Sequence, residues 1–385
     1  MQTPAVAPRP TQRLVAIDLL RGLTVALMIL ANNNGGPAAF WFLQHAAWNG
    51  FTPTDLVFPT FLFLVGVAIP YSTDGRLARG DGRGTLLRHI VSRSAILFLF
   101  GIVVNNFPLF HLDTLRVYGV LQRIAACYLV LATAYVCGLR WRGALALVAG
   151  TLVGYWLLMR FVPVPGYGLP VRDVPLLDPV RNLAAWIDRQ VFSAPHLFER
   201  TRDPEGLLST LPALATTALG VLAGLWLRGT APLHARIRGL VFAGAACVLL
   251  GALWNFGFPI NKRLWTSSFV LFAGGWSLLL LAAMLRFTDA RSAALDAGKR
   301  PLWQRPLLVF GTNTIFAYML SELLAALLWT IPAGGGLSLQ QAIANAFDRG
   351  IPYPTAAATA YSLVFLAVCW LPTWLLCRRR IFLKI

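Results

Sequence analysis

A succession of apolar stretches, each close to the roughly 20 residues a helix needs to cross a bilayer, constrains this chain more than any other feature. They fall near 14–31, 55–71, 90–107, 117–138, 143–162, 207–227, 239–257, 264–286, 306–331 and 357–377. Backbone polar groups in lipid must be satisfied within the segment, so these stretches are expected to be helices. Composition agrees, because 57% of the 385 residues are hydrophobic and only 12% charged, too few charges to cover a soluble fold. The expected fold class is all-α: a polytopic integral membrane protein with about ten transmembrane helices and both termini cytoplasmic. A disordered chain, a disulfide scaffold and a soluble enzyme are excluded. A flexible tail is expected at 1–13, one transmembrane domain over 14–377 with its longest connection at 163–206, and a basic tail at 378–385. Asp18 and Arg21 interrupt the first run and no small-residue cleavage site follows it, so it reads as a retained helix rather than a signal peptide.

The net charge of +18 would suggest nucleic acid in a soluble protein. An even number of spans puts both termini on one side, and that side carries 21 of the 33 Lys and Arg but only 4 of the 15 acids. The positive-inside rule accounts for this balance, so no nucleic-acid partner is expected. Arg378, Arg379 and Arg380 read as anchors that also touch anionic membrane lipid. Cys127, Cys137, Cys247, Cys369 and Cys377 are odd in number and without CxxC spacing, and read as small core residues.

Charges inside a bilayer are costly and are usually paired or functional. Asp18 and Arg21, three apart on one helix face, form either a structural pair or part of a substrate site. Arg123 has no acid nearby in sequence and needs a partner across the bundle or a ligand phosphate, which a guanidinium fork suits. Glu322 is either buried against a Ser or Tyr or functional. The side opposite the termini holds the densest polar clusters: Asn32–Gly36, the aromatic-rich 40–63 around His45, 200–214 with Asp203 and Glu205, and 258–271 with Lys262 and Arg263. His45 alone reads as a hydrogen-bonded interface residue or a catalyst. His45, His111 and His196 show no metal-ligand spacing, so no metal is expected.

These segments, in this order, resemble the transmembrane acetyltransferase family of heparan-alpha-glucosaminide N-acetyltransferase and its bacterial relatives. The matching stretches are AIDLLRGLTVALMIL (16–30), the Asn/Gly turn, HAAWNGFTPTDLVFPTFLFLVG (45–66), GVLQRIAACY (119–128), DPEGLLSTLPA (203–213), PINKRLWTSSFV (259–270) and FGTNTIFAYMLSE (310–322). The resemblance implies acetyl-CoA as co-substrate from the cytoplasmic side and transfer of its acetyl group to the amine of a glucosamine-type sugar on the far side. In a bacterial inner membrane that side is the periplasm. It implies catalytic roles for His45, for Asn34 in the preceding turn beside Asn32 and Asn33, and for Asp18. Arg21, Arg123, Lys262 and Trp265 are the expected donor contacts. Trp48, Asn49, Asp203, Glu205, Asn261 and Asn313 are the expected acceptor contacts. A homodimer is also implied, although no small-xxx-small face marks an interface. The lysosomal enzyme has a large lumenal region before its first span where this sequence has about a dozen residues, so a free amino sugar or short oligosaccharide is the expected acceptor.

Attack of a neutral amine on a thioester calls for a base with pKa near ambient, and unperturbed His is about 6.5. His45 would take the amine proton while Asn34 or a backbone N–H stabilises the oxyanion, a donor worth on the order of 10²–10³ in rate. Acetylation of His45 itself, giving ping-pong kinetics, is the alternative. Two rival functions share the same residues: an amino-sugar transporter, and O-acetylation of a periplasmic glycan.

Overall fold

The computed structural model describes residues 14–36, 38–288 and 301–383. The tail at 1–13 and the end of the basic tail at 384–385 lie outside the described residues. The elements are α1 (Val15–Asn32), a 3₁₀ turn (Pro53–Leu56) leading into α2 (Val57–Leu77), α3 (Arg83–Asn106), α4 (Val120–Val136), α5 (Trp141–Phe161), α6 (Leu183–Phe192), α7 (Thr210–Leu227), α8 (Leu233–Trp254), α9 (Ser267–Phe287), α10 (Gln304–Thr312), α11 (Thr314–Thr330), α12 (Leu339–Gly350) and α13 (Pro354–Arg378). No β-strand occurs among the described residues.

Eight of these helices are long and apolar enough to cross a membrane: α1, α2 with its leading turn, α3, α5, α7, α8, α9 and α13. The protein is an all-helical, multi-pass membrane protein. The other two expected spans differ in kind. That expected at 117–138 is the shorter helix α4, 17 residues long. That expected at 306–331 is not one helix, because α10 and α11 meet at 85°. The bend falls at Asn313 (φ −121°, ψ 44°), whose side chain is buried. Its Nδ2 donates to the Ile381 carbonyl at 3.1 Å and its Oδ1 accepts from the Leu383 amide at 3.0 Å, so the C-terminal segment is stapled into the bend. An apolar run gives no sign of such a bend, since its partner lies some 70 residues away.

Small residues set how closely the helices approach. A Cβ on Gly220 of α7 would lie 2.0 Å from the Phe63 carbonyl of α2, and one on Gly311 of α10 would lie 2.0 Å from the Asp18 carbonyl of α1. Gly244 of α8 and Gly275 of α9 bring those two backbones together in the same way. Two cysteines, Cys127 and Cys369, are core residues as expected, whereas Cys137 is exposed. The long connection 163–206 contains α6, whose first turn is capped by Asn182 accepting from the Ala185 amide at 2.9 Å.

Gly220→Ala should force α2 and α7 apart. A loss of about 1–3 kcal/mol is expected for such overpacking, read as a lower thermal midpoint in detergent. Gly154→Ala on α5, where nothing lies within 4 Å, is the control that should leave the midpoint unchanged or raise it.

Candidate active site

The irregular run between α1 and α2 is strapped by its own side chains. Thr52 Oγ1 shares its single proton between the Gln44 carbonyl at 2.7 Å and Asp55 Oδ2 at 3.0 Å, and Thr54 Oγ1 donates to the Phe42 carbonyl at 2.8 Å. The Gly50 amide donates to the Ile260 carbonyl at 2.9 Å, tying this run to the segment before α9. Thr52 and Asp55 then form a capping box at the start of α2. Asp55 Oδ2 accepts from the Thr52 amide (3.0 Å), the Thr52 hydroxyl (3.0 Å) and the Ala46 amide (3.1 Å). Its other oxygen, Oδ1, lies 2.8 Å from His45 Nδ1.

That last contact decides the chemistry of the ring. A carboxylate only accepts, so Nδ1 carries the proton and Nε2 keeps its lone pair. The Asp55 side chain is 1% exposed and that of His45 is 40% exposed, so the acid is sealed in while the ring faces open space. Lys262 Nζ stands 3.1 Å from His45 Nε2, 3.0 Å from Nδ1 and 3.8 Å from Asp55 Oδ1. Nearly equidistant from the two ring nitrogens, the ammonium sits beside the ring and off the line of the Nε2 lone pair. Burial pushes the Lys262 pKa below its ordinary value, against the pull of the Asp55 and Glu205 carboxylates.

His45, Asp55 and Lys262 line a cavity of about 310 Å³, together with Trp265, Glu205, Asn32 and Glu322. A second cavity of about 360 Å³ is lined by Arg21, Ser72, Arg93, Tyr128 and Thr312. The two share the wall made by Phe61, Leu121, Ile124, Thr314 and Ile315.

The structure gathers some of the expected residues and disperses others. Lys262, Trp265 and Glu205 join His45 at the first cavity. Asp203 is held by Arg116, whose Nε and Nη2 bond its two oxygens at 2.8 and 2.7 Å; Nη2 also reaches Glu205 at 2.8 Å. Asn261 is buried in its own turn, with Oδ1 accepting from the Leu264 amide (2.9 Å) and Nδ2 donating to Asn49 (3.0 Å). Trp48 donates to the Leu177 carbonyl at 2.8 Å and lies under the Arg202 guanidinium. Of the three asparagines at the end of α1, Asn32 lines the cavity, while Asn33 and Asn34 turn back to the Ile29 and Ala31 carbonyls. Arg21 lines the second cavity, 3.3 Å from Asp18. Arg123 lines neither cavity: it is fully buried, donates to Ser209 and to the Gly206 carbonyl (3.2 Å), and lies 5.1 Å over the Trp265 ring. Asn313 is the staple of the α10–α11 bend, away from His45's cavity.

Sequence reasoning named neither Asp55 nor Arg116 as functional, and placed the supporting asparagine at Asn34 with Asn32 and Asn33 as alternatives in register. Asp55 had a readable signal, the Thr-Pro-Thr-Asp capping box ten residues after His45. Arg116 had none, because its acids lie 87 and 89 residues away.

The family model for heparan-alpha-glucosaminide N-acetyltransferase, catalytic, matches residues 13–250. The chain belongs to the heparan-alpha-glucosaminide N-acetyltransferase family. It is 31% identical over 362 residues to the Homo sapiens protein of that name, covering 80% of this chain and 52% of the relative. It is likewise 31% identical over 368 residues to the Mus musculus protein, covering 81% and 54%. The chain thus spans about half the length of the relatives it matches. The stretch that carries the family's pattern holds the His45–Asp55 pair and the Arg116–Asp203–Glu205 cluster, while Lys262 and Glu322 lie beyond it.

Next to that cluster, Asp188 of α6 is 1% exposed and accepts from the Leu207 amide at 2.9 Å. Burial raises its pKa from 3.8 to about 6. Between those values the unfolded chain gives up a proton that the folded one keeps, so stability falls as pH rises from about 4 to about 6 and is then level. Asp188→Asn keeps the acceptor and removes the charge. Relative to the native chain it should be on the order of 2–3 kcal/mol more stable at pH 7.5 and no more stable at pH 4. Thermal midpoints at the two pH values test this; an equal difference at both would refute it.

Proposed function

We propose that the protein is a transmembrane acetyltransferase that takes the acetyl group of acetyl-CoA and passes it to the amine of a glucosamine-type sugar. The observation that carries this reading is His45 Nε2, left with its lone pair at a cavity by the 2.8 Å contact of Nδ1 with Asp55. The family membership supplies the reaction class, and the relatives' name supplies the acceptor.

His45 takes a proton from the acceptor ammonium, and the free amine attacks the thioester carbonyl. The Lys262 ammonium, beside the ring, faces the negative charge that develops on the carbonyl oxygen, whereas Asn34, turned back to the Ala31 carbonyl, is not placed to do so. Collapse breaks the C–S bond and expels CoA thiolate, which is protonated; the balance is amide, CoA thiol and one proton released. Asp55 holds the ring in place and stabilises its protonated form without itself taking the proton.

On this reading acetyl-CoA is assigned to the pair of cavities. The second has Arg21 and Arg93 in its lining to meet phosphates. An extended pantetheine arm suits the apolar wall that the cavities share, with its thioester toward His45. On this reading Arg21 is a donor contact, Lys262 and Trp265 flank the reacting thioester, and Arg123 supports Trp265 from behind. Glu205 faces the acceptor, whereas Asp203, Asn49, Asn261 and Trp48 hold the walls of its site. Asp18 orients Arg21. The positive-inside balance supports entry of acetyl-CoA from the cytoplasm and delivery to the far side, the periplasm of a bacterial inner membrane.

The test uses purified protein in sealed proteoliposomes with labelled acetyl-CoA on one side and glucosamine on the other. Label should appear in an amide that resists mild base, and His45→Ala should abolish it. Asp55→Asn should lower kcat on the order of 10²–10⁴-fold. Sugar crossing unmodified would instead identify a transporter, and base-labile label an O-acetyltransferase.

A further inference from the structure

Four acidic side chains line the His45 cavity: Asp55, Glu199, Glu205 and Glu322. Three of them face a cation. Asp55 has Lys262 at 3.8 Å, Glu205 has Arg116 at 2.8 Å, and Glu199 is gripped by Arg202 and Arg263. Glu322, on α11, has none among the described residues. Its Oε1 accepts from Asn32 Nδ2 at 3.2 Å, its Oε2 has no hydrogen-bond partner among the described residues, and the side chain lines the cavity.

A carboxylate at membrane depth with a single neutral donor lacks the compensation that buried charges require. Such an acid is either held neutral by a proton or balanced by a cation that a ligand brings. The cavity that Glu322 faces also holds His45, and on the reading above it receives a substrate carrying a primary ammonium. The other three carboxylates are already neutralised by the protein's own cations and offer that ammonium less attraction.

We infer that Glu322, held in place by Asn32, is the anchor for the cationic amine of the acceptor, and so selects an amino sugar over its hydroxyl counterpart. The carboxylate attracts the ammonium form and aligns it at the cavity; the proton then leaves to His45 and the neutral amine reacts. Asn32 positions Glu322 by giving it an N–H without a charge, which leaves the acid's negative charge available to the ligand. This inference rests on the acetyltransferase reading for its acceptor, but not for its binding test.

Two measurements separate the inference from that reading. In transfer assays, Glu322→Gln, which preserves shape and the Asn32 contact, should raise KM for glucosamine on the order of 10–100-fold, while KM for acetyl-CoA stays within about twofold. In ligand-binding assays without acetyl-CoA, the native chain should bind glucosamine more tightly than glucose, and Glu322→Gln should lose that preference. Asn32→Ala, which keeps the charge, should retain it and thereby exclude a merely structural effect. Unchanged glucosamine KM in an active, folded Glu322→Gln protein would overturn the inference and leave the acetyltransferase reading intact. Absence of transfer by the native chain would overturn that reading, yet a glucosamine preference that vanishes in Glu322→Gln would still support the anchor; no preference in the native chain would overturn both.

Discussion

The buried carboxylate of Asp55 is the constraint on which the site depends. It begins a membrane-spanning helix with 1% of its side chain exposed, where an unsatisfied charge would cost several kcal/mol. Three donors from residues 46 and 52 satisfy one oxygen, and the His45 ring takes the other. Satisfying this single group therefore fixes the path of the chain from Ala46 to α2, the orientation of the ring and the nitrogen that carries its proton. The histidine is a consequence of the cap as much as the cap is a support for the histidine.

Much of the fold was legible because lipid leaves a chain few choices: an apolar run near 20 residues long becomes a helix, and eight of the expected spans did. The bend at Asn313 was not legible, because hydropathy measures how apolar a stretch is and contains nothing about the Ile381 and Leu383 backbone groups that Asn313 engages. The candidate site divides in the same way. His45 is identifiable within its motif, and Asp55 was identifiable in principle from local capping chemistry. Arg116, by contrast, meets Asp203 only through folding, and until it does those acids look available to a ligand. Residues whose partners are near in sequence can be assigned from sequence; residues whose partners are far cannot.

Arg123 illustrates a second limit. A lone arginine in a span reads as a candidate for phosphate, yet here its guanidinium lies over Trp265 and bonds Ser209 and the Gly206 carbonyl. It links α4 to the turn that carries Asp203 and Glu205 and to the wall of the His45 cavity. Trp265 itself takes a left-handed backbone conformation (φ 52°), which a bulky residue adopts only when its surroundings require it. The Trp265 amide bonds the Lys262 carbonyl, and the next amide, of Thr266, bonds the Asn261 carbonyl, so the turn that strains Trp265 is the one that presents Lys262 to His45.

The same economy governs the two cavities. Backbone contacts at Gly22, Gly311, Gly66 and Gly220 leave no room for the helices to draw closer. What separates the cavities is instead a partition of side chains: Phe61, Leu121, Ile124, Thr314 and Ile315. Two of those five begin α11, immediately after the bend at Asn313. A straight helix from 304 to 330 would carry its axis past this point without turning, and the partition would lose two of its members. The bend, with the C-terminal segment stapled into it, is thus what brings the end of the basic-lined cavity against the wall of the His45 cavity, and places Leu383 in the lining of the former. The transfer proposed above, from a charged donor on one side of a bilayer to an acceptor on the other, needs such a meeting point, polar at both ends and apolar between.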